Sequence, residues 1–341
     1  MNRSFLLKTC LAASLAASVL PAEKAHAWGA TGHEWISGIA AESLPPELPA
    51  FLRTPSATAD IAVLGRELDR SKGTGRIHDA ERDTGHFVSL DEDGTVKGVA
   101  LQPLPPTREA WDTALRERGT TQYRAGYLPY AIVDGWQQLA KDFAWWRAGT
   151  VAAGNAVTAE DRAWFASDLA LRERLILRDL GVWSHYVADA TQPLHVSAWD
   201  NRAGDAPNPF GVSEVRRFHA RFEGEFVRGH LDRAAVARGL APYRDCGGCG
   251  IEDRMRALLL ESLAQVKPLF ELEKRGAFAR VEPEAVAFTT ARLSHGASAL
   301  RDMIVDAWVF SAGMKISWPE IAVGDVESGR RVLKRLDFGD D

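Results

Sequence analysis

Apolar residues recur every three or four positions over three long stretches of the chain, which is the spacing of amphipathic α-helices. These stretches run from Leu128 to Trp146, from Phe165 to Val187 and from Val286 to Trp308. Shorter helical patterns cover residues 33–43, 60–68, 215–228 and 254–266. No segment alternates with period two for long enough to require a sheet. The pattern therefore predicts an all-α fold.

Three stretches rich in proline or glycine interrupt the helical pattern and predict loops: Pro103–Pro106, Ala203–Gly211 and Asp245–Gly250. None of them is long enough to serve as a linker between domains, and the chain has no internal repeat or low-complexity tract. We expect residues 28–341 to form a single multi-helix domain.

Residues 1–27 have the pattern of a secretory signal peptide. Arg3 and Lys8 accompany an apolar run, and Ala25-His26-Ala27 matches an A-x-A cleavage site. Because Lys8 interrupts the run, it is too short for a bilayer-spanning anchor, which needs about 20 consecutive apolar residues. The sequence thus predicts cleavage after Ala27, a secreted or periplasmic protein and no transmembrane segment after processing.

The overall charge limits the choice of partners. The formal net charge is −5 at pH 7, which provides no general attraction for nucleic acid or anionic lipid. A phosphate-bearing partner must therefore be held by a local site, and no stable protein partner is implied. In an oxidising compartment, Cys246-Gly247-Gly248-Cys249 predicts a small disulfide loop rather than a zinc site, because a second cysteine pair is lacking.

Histidines paired with carboxylates are the candidate chemistry. His185 and Asp189 lie four residues apart, so both project from one face of a helix, and His219 and Glu223 repeat this spacing. His195 follows the first pair, and a further histidine, His86, lies between an acidic loop and the apolar pair Phe87-Val88. A nitrogen and oxygen ligand set without thiolates suits zinc in open, catalytic sites.

Trp28 would become the first residue after cleavage, and its freed α-amine could then bind a metal. His33 lies five residues further on, and Gly29 and Gly32 allow the chain between them to fold back. One metal ion could be chelated by both Trp28 and His33.

This ordered set resembles the zinc-dependent nuclease and phospholipase C superfamily, whose three zinc ions sit in an all-helical fold around a mature N-terminal tryptophan. The most specific block is His185-x-x-x-Asp189-x-x-Gln192-Pro193-Leu194-His195. The resemblance implies a trinuclear zinc site with Asp189 bridging two ions. Its implied ligands are His86, His185, Asp189 and an upstream aspartate for the first ion; the amine and carbonyl of Trp28 with His33 and Asp189 for the second; and His195, His219 and Glu223 for the third.

The upstream aspartate has two candidates. Asp69 lies 17 residues before His86, close to the spacing of the family, whereas Asp60 follows an alanine as the family's aspartate does. We favour Asp69, and expect Asp60 to be a charge near a helix N-terminus. Asp69 would also be catalytic, because it could orient the attacking water or accept its proton.

Two branches of the superfamily fit the sequence. The steps from Trp28 to His33 and from His195 to His219 resemble the single-strand nuclease branch, written S-one/P-one, whereas Glu223 resembles the phospholipases. We expect a hydrolase that cleaves single-stranded DNA or RNA internally through a metal-activated bridging water. A phospholipase C and a non-catalytic secreted metal-binding protein are the alternatives.

Substrate-binding residues are less defined by the sequence. Arg76 or Arg217 is a candidate to clamp the phosphate. Trp199, Phe210 and Tyr186 are candidates to stack a base, although aromatic residues at such positions more often belong to the core.

Overall fold

The computed structural model describes residues 28–199, 209–212 and 214–339. The proposed signal peptide, residues 1–27, lies outside the described residues, as does most of the loop expected at Ala203–Gly211. Within the described part the chain is mostly helical, which confirms the predicted class of fold.

Fifteen α-helices follow one another along the described chain. They are α1 (Ala30–Glu42), α2 (Pro55–Leu64), α3 (Glu67–Arg70), α4 (Arg76–Arg82), α5 (Arg108–Arg116), α6 (Gln122–Ala125), α7 (Leu128–Asn155), α8 (Ala159–Asp189), α9 (Val215–Ala220), α10 (Val227–His230), α11 (Arg233–Arg238), α12 (Ile251–Leu263), α13 (Val266–Lys274), α14 (Pro283–Ser311) and α15 (Val323–Glu327).

Shorter elements complete the described secondary structure. A π-helix, Arg221–Phe226, joins α9 to α10, and the strands β1 (Lys315–Ile316) and β2 (Ile321–Ala322) pair antiparallel. Four 3₁₀ turns lie at Ala50–Arg53, Asp83–His86, Pro193–His195 and Arg335–Phe338.

The three predicted long helices form the centre of the molecule, as α7, α8 and α14. Only three residues separate α7 from α8, so these helices pack as an antiparallel hairpin, and α14 and α1 pack against it. The indole of Trp136 donates a hydrogen bond to the carbonyl of Met303 (2.8 Å), and the indole of Trp183 donates to Ile132 (2.9 Å). These bonds let two large apolar side chains enter the core without burying an unpaired donor.

The prediction of one continuous helix over residues 60–68 is wrong, because α2 ends at Leu64 and α3 begins at Glu67. The helix is interrupted between them. Gly65 lies at this break, where a Cβ atom would come within 2.2 Å of Oγ of Ser37 on α1. The close approach of α1 therefore requires glycine at this position, and the periodicity of the segment does not predict that contact.

The other loop and disulfide predictions agree with the structure. Residues 103–106 and 245–250 are non-helical, and Cys246 and Cys249 form a disulfide with an S–S distance of 2.07 Å. Among the described residues, no helix is both long and apolar enough to cross a bilayer.

Candidate metal centre

The structure collects eight of the nine predicted site side chains into three groups of possible metal ligands. The ligand atoms within each group lie within 4.8 Å of one another. The groups are His33, His185 and Asp189; Asp69, His86 and His185; and His195, His219 and Glu223.

Helix α8 supplies the centre of this arrangement through its last two turns. Asp189 ends the helix and His185 lies one turn earlier, and the side chains of both have no solvent exposure. Nε2 of His185 is 3.4 Å from Oδ2 of Asp189, in agreement with the four-residue spacing.

The two oxygens of Asp189 face different imidazoles. Nε2 of His33, from α1, lies 3.4 Å from Oδ1, whereas Nδ1 of His86 lies 3.1 Å from Oδ2. The ring of His33 stacks on His185 with the centroids 3.7 Å apart, and His86 meets His185 edge-on. A carboxylate placed in this way has the geometry to share its oxygens between two metal ions.

A backbone carbonyl fixes the tautomer of His185. Nδ1 of His185 donates to the carbonyl of Gly65 at 2.7 Å, and because a carbonyl only accepts, the hydrogen must sit on Nδ1. The lone pair of neutral His185 is therefore on Nε2, which faces Asp189 and lies 2.9 Å from Nδ1 of His86. Such a bond from the second nitrogen to a carbonyl is typical of metal-ligating histidines.

The two candidate aspartates of the upstream segment differ in position. Asp69, on α3, places Oδ1 3.9 Å from Nε2 of His185, and its side chain is only 10% exposed. Asp60 is exposed on α2, outside the three groups. The structure thus brings Asp69 to the cluster and leaves Asp60 on the surface.

Lys72 is a member of the site that sequence reasoning missed. Its ammonium lies 2.5 Å from Oδ1 of Asp69, and its side chain is 11% exposed. The sequence could have indicated Lys72, because it lies three residues after Asp69 and this spacing places both side chains on one side of a helical turn. Lys72 thus brings a positive charge next to the carboxylate of Asp69.

The third group lies where the segment after α8 meets the π-helix. Nε2 of His219 is 2.8 Å from Oε2 of Glu223, and Nε2 of His195 is 3.9 Å from the same oxygen. Nδ1 of His195 donates to the backbone carbonyl of His86 at 2.7 Å, so its lone pair also points to the carboxylate. The bond to His86 couples this group to the one at Asp189.

Gln192 and the π-helix support Glu223. The amide of Gln192, fully buried, donates to Oε2 of Glu223 at 3.1 Å, and its Oε1 accepts from the backbone N–H of Leu194 at 2.6 Å. The expected continuous helix over 215–228 is wrong in its centre, because residues 221–226 wind as a π-helix. Single π turns are frequent at functional sites, where they redirect a side chain.

Trp28 is completely buried at the start of α1. Its indole donates to Oγ1 of Thr191 at 3.1 Å and packs on the ring of Phe222, with centroids 5.3 Å apart. A Cβ at Gly32 would come within 2.8 Å of Cβ of Trp28, so the predicted fold-back requires glycine here. The backbone of Gly29 then lies against the π-helix. Trp28 is thus anchored next to the third group.

Burial sets the protonation of the first two groups. It raises the pKa of Asp189 to about 7, although the hydrogen bond from His86 opposes the shift. Burial also lowers the pKa of His86 and holds the pKa of His185 well below its usual range. Neutral imidazole is the form in which histidine binds metal, and the charge of a bound cation would favour the ionised carboxylate of Asp189, so the donor set fits metal ions.

A cavity of about 640 Å³ opens onto this centre. Asp69 and Glu223 both line it, together with Gly29 and Ala30. Three arginines, Arg66, Arg70 and Arg228, and a further carboxylate, Glu225, also line it. Sequence reasoning missed the arginines, because each lies at or near the end of a short helix, where arginine is ordinarily a solvated surface residue.

The expected phosphate clamps lie elsewhere. The side chain of Arg217 is 83% exposed and pairs with Glu214 at 3.4 Å, and Arg76 is exposed at the start of α4. Neither lines the cavity at Asp69 and Glu223.

The expected base-stacking aromatics also take other positions. Phe210 stacks on Phe270 with centroids 5.1 Å apart, and Trp199 packs against the core. Tyr186 lies edge-on to His86 at 5.8 Å and faces a different cavity, of about 780 Å³. Phe210 and Trp199 therefore pack against the core, which was the alternative to a base-stacking role.

No protein-family model matches the sequence, and no curated protein matches it significantly. The geometry of the centre therefore has to support the functional argument.

Proposed function

We propose that this protein is a zinc-dependent phosphodiester hydrolase that cleaves single-stranded nucleic acid. The observation that carries the proposal is the position of Asp189, whose two buried oxygens face His33 on one side and His86 with His185 on the other. A site that only stores one metal ion has no use for such a shared carboxylate.

Zinc is the metal that the donor set favours. The three groups contain only imidazole and carboxylate ligands, and zinc uses these in catalytic sites that keep an open position. The first ion would be held by Asp69, His86, His185 and Asp189; the second by His33, Asp189 and the backbone of Trp28; and the third by His195, His219 and Glu223.

Bound zinc would lower the pKa of water towards neutrality and offset the negative charge of a phosphodiester. The side chains do the rest. Asp69, which lines the cavity and pairs with Lys72, would orient water and accept its proton. The ammonium of Lys72, beside Asp69, would stabilise charge that develops on the phosphate oxygens. Gln192 holds the carboxylate of Glu223 in position.

The arginines of the cavity favour a nucleic acid over a phospholipid. A guanidinium group binds phosphate through paired hydrogen bonds, and the lining offers three such groups. A strand of nucleotides presents several phosphates to them, whereas a phospholipid presents one phosphate and two apolar tails.

Secretion is part of the proposal. Cleavage of a signal peptide after Ala27 would free the α-amine of Trp28, and the indole of Trp28 is already anchored beside Phe222. Processing would thus complete the ligand set of the second ion.

The experiment that tests the function compares substrates. Mature protein, residues 28–341, is loaded with zinc and incubated with single-stranded DNA, RNA and phosphatidylcholine. We expect both nucleic acids to be cleaved and the lipid to remain intact. Hydrolysis of the lipid alone would identify a phospholipase, and stable zinc binding without turnover of any substrate would identify a metal-binding protein.

A further inference from the structure

Three arginines lie around the opening of the metal centre on two segments of the chain. Arg66 and Arg70 flank Asp69 near α3, whereas Arg228 follows Glu223 on α10. The cavity therefore has guanidinium groups on both of the segments that carry its carboxylate ligands.

These arginines are only partly neutralised by neighbouring carboxylates. Arg66 approaches Glu34 at 3.6 Å and Arg70 pairs with Glu67 at 3.0 Å, but all four side chains are more than a third exposed. Ion pairs with this exposure are weak.

The remaining interactions leave donors available. Arg228 is exposed and makes no ion pair with any residue that the structure describes, so its guanidinium group can bind a ligand. Only Glu225 adds a carboxylate to the lining besides Asp69 and Glu223. Once metal ions neutralise those two ligands, the lining has a net positive charge.

A local positive cluster opposes the charge of the whole chain, which is −5. Such a chain does not attract a polyanion from a distance, so binding must come from this lining. The cavity volume of about 640 Å³ is within the range of about 300–1000 Å³ that ligand pockets span.

We propose that Arg66, Arg70 and Arg228 bind the phosphates that flank the scissile phosphodiester, so that the preferred substrate is a strand of several nucleotides rather than a dinucleotide. This inference rests on the proposed nuclease function. It assigns the length preference of the enzyme to electrostatic interactions outside the reacting group.

The test uses two hexathymidylates, whose five internucleotide linkages include one central linkage. One has phosphodiester linkages throughout, and the other has a single central phosphodiester flanked by neutral methylphosphonates. Wild type, Arg70→Gln and Arg228→Gln are compared in their zinc-loaded mature forms. Arg174→Gln is the matched control, because Arg174 is exposed on α8 and lies 15 residues from Asp189, about 22 Å along the helix axis.

We expect each cavity variant to lower kcat/KM for the all-phosphodiester strand by about three- to tenfold at low salt, because one arginine no longer binds its phosphate. The slope of log kcat/KM against log salt should become shallower by about 0.7 for each arginine replaced. The methylphosphonate strand should be cleaved equally by wild type and variants, and the control should match wild type on both strands.

Two results would overturn the inference and leave the nuclease function intact. One is an equal decrease on both strands, which would place the arginines on the scissile phosphate or in the structure. The other is no decrease on either strand. Failure of the nuclease function itself would show differently, as a wild type that cleaves neither strand, and would remove the inference with it.

Discussion

His33 and Asp189 are in contact inside the metal centre, where both side chains are fully buried and Nε2 of the histidine lies 3.4 Å from Oδ1 of the carboxylate. The other oxygen, Oδ2, faces His86 and His185. One buried side chain thus contacts two sets of imidazoles that come from different parts of the chain. This relationship makes a two-metal arrangement the simplest use of the centre.

The role of Asp69 can be tested against that of Asp60. Asp69→Asn keeps the shape of the side chain but removes both the base and the charge of a proposed ligand to the first ion, so we expect kcat on single-stranded DNA to fall by about 10²- to 10⁴-fold. Asp60→Asn, on the exposed face of α2, should behave as wild type. Steady-state kinetics of both variants measure this, and an equal decrease in the two would remove the assignment of Asp69.

Processing should control the second zinc ion. A form that begins Met-Trp28 carries the nitrogen of Trp28 in a peptide bond, which removes the lone pair that would bind metal. We expect this form to contain one zinc ion fewer than the mature form and to lose most of its activity. Elemental analysis and kinetics on the two forms decide the point. Equal zinc content and equal turnover would contradict a ligand role for the amine.

Glu223 should tolerate shortening. Its carboxylate is held by Gln192 at 3.1 Å and lies 2.8 Å from His219. We expect Glu223→Asp to keep its zinc and to cleave single-stranded DNA within about tenfold of wild type, a change in barrier of roughly 1.4 kcal/mol. Glu223→Ala, which removes the ligand, should lose one zinc ion. Loss of zinc from both variants alike would show that the position accepts glutamate only.

His295 should make the free energy of unfolding depend on pH. Burial, with Arg292 nearby, lowers its pKa from 6.5 to about 4. The unfolded chain then binds a proton that the folded protein does not, so stability is complete above pH 6.5 and falls as the pH drops from 6.5 to 4. Because the side chain is 31% exposed, we expect about 1–3 kcal/mol rather than more.

Urea unfolding at several pH values, with chelator present so that zinc loss does not contribute, measures this effect. His295→Gln should lose less stability than wild type over the same interval. Parallel curves for the two proteins would show that His295 titrates normally in the folded state.

The sequence predicted the parts of the fold that depend on local pattern. The apolar stripes of α7, α8 and α14 are long enough to define helices by themselves, and the pair His185 and Asp189 lies on one face because of helical geometry. The disulfide between Cys246 and Cys249 also followed from local spacing.

The missed features depend on contacts between distant segments. Gly65, at the break between α2 and α3, leaves no room for a Cβ atom beside Ser37, and its carbonyl accepts a hydrogen bond from His185. Arg66 and Arg228 are far apart in the chain. They line the same cavity because the fold brings the start of α3 and helix α10 to it. The periodicity of either segment alone does not predict that both arginines line one cavity.

The number of zinc ions bound by the mature protein tests the central claim most directly. Elemental analysis should give three zinc ions in wild type, at least two in His33→Ala and one in Asp189→Ala, because Asp189 is proposed to hold two ions and His33 one. Circular dichroism confirms that the variants remain helical. Wild-type protein with one zinc ion or none, or an Asp189→Ala protein that keeps all three, would contradict the account.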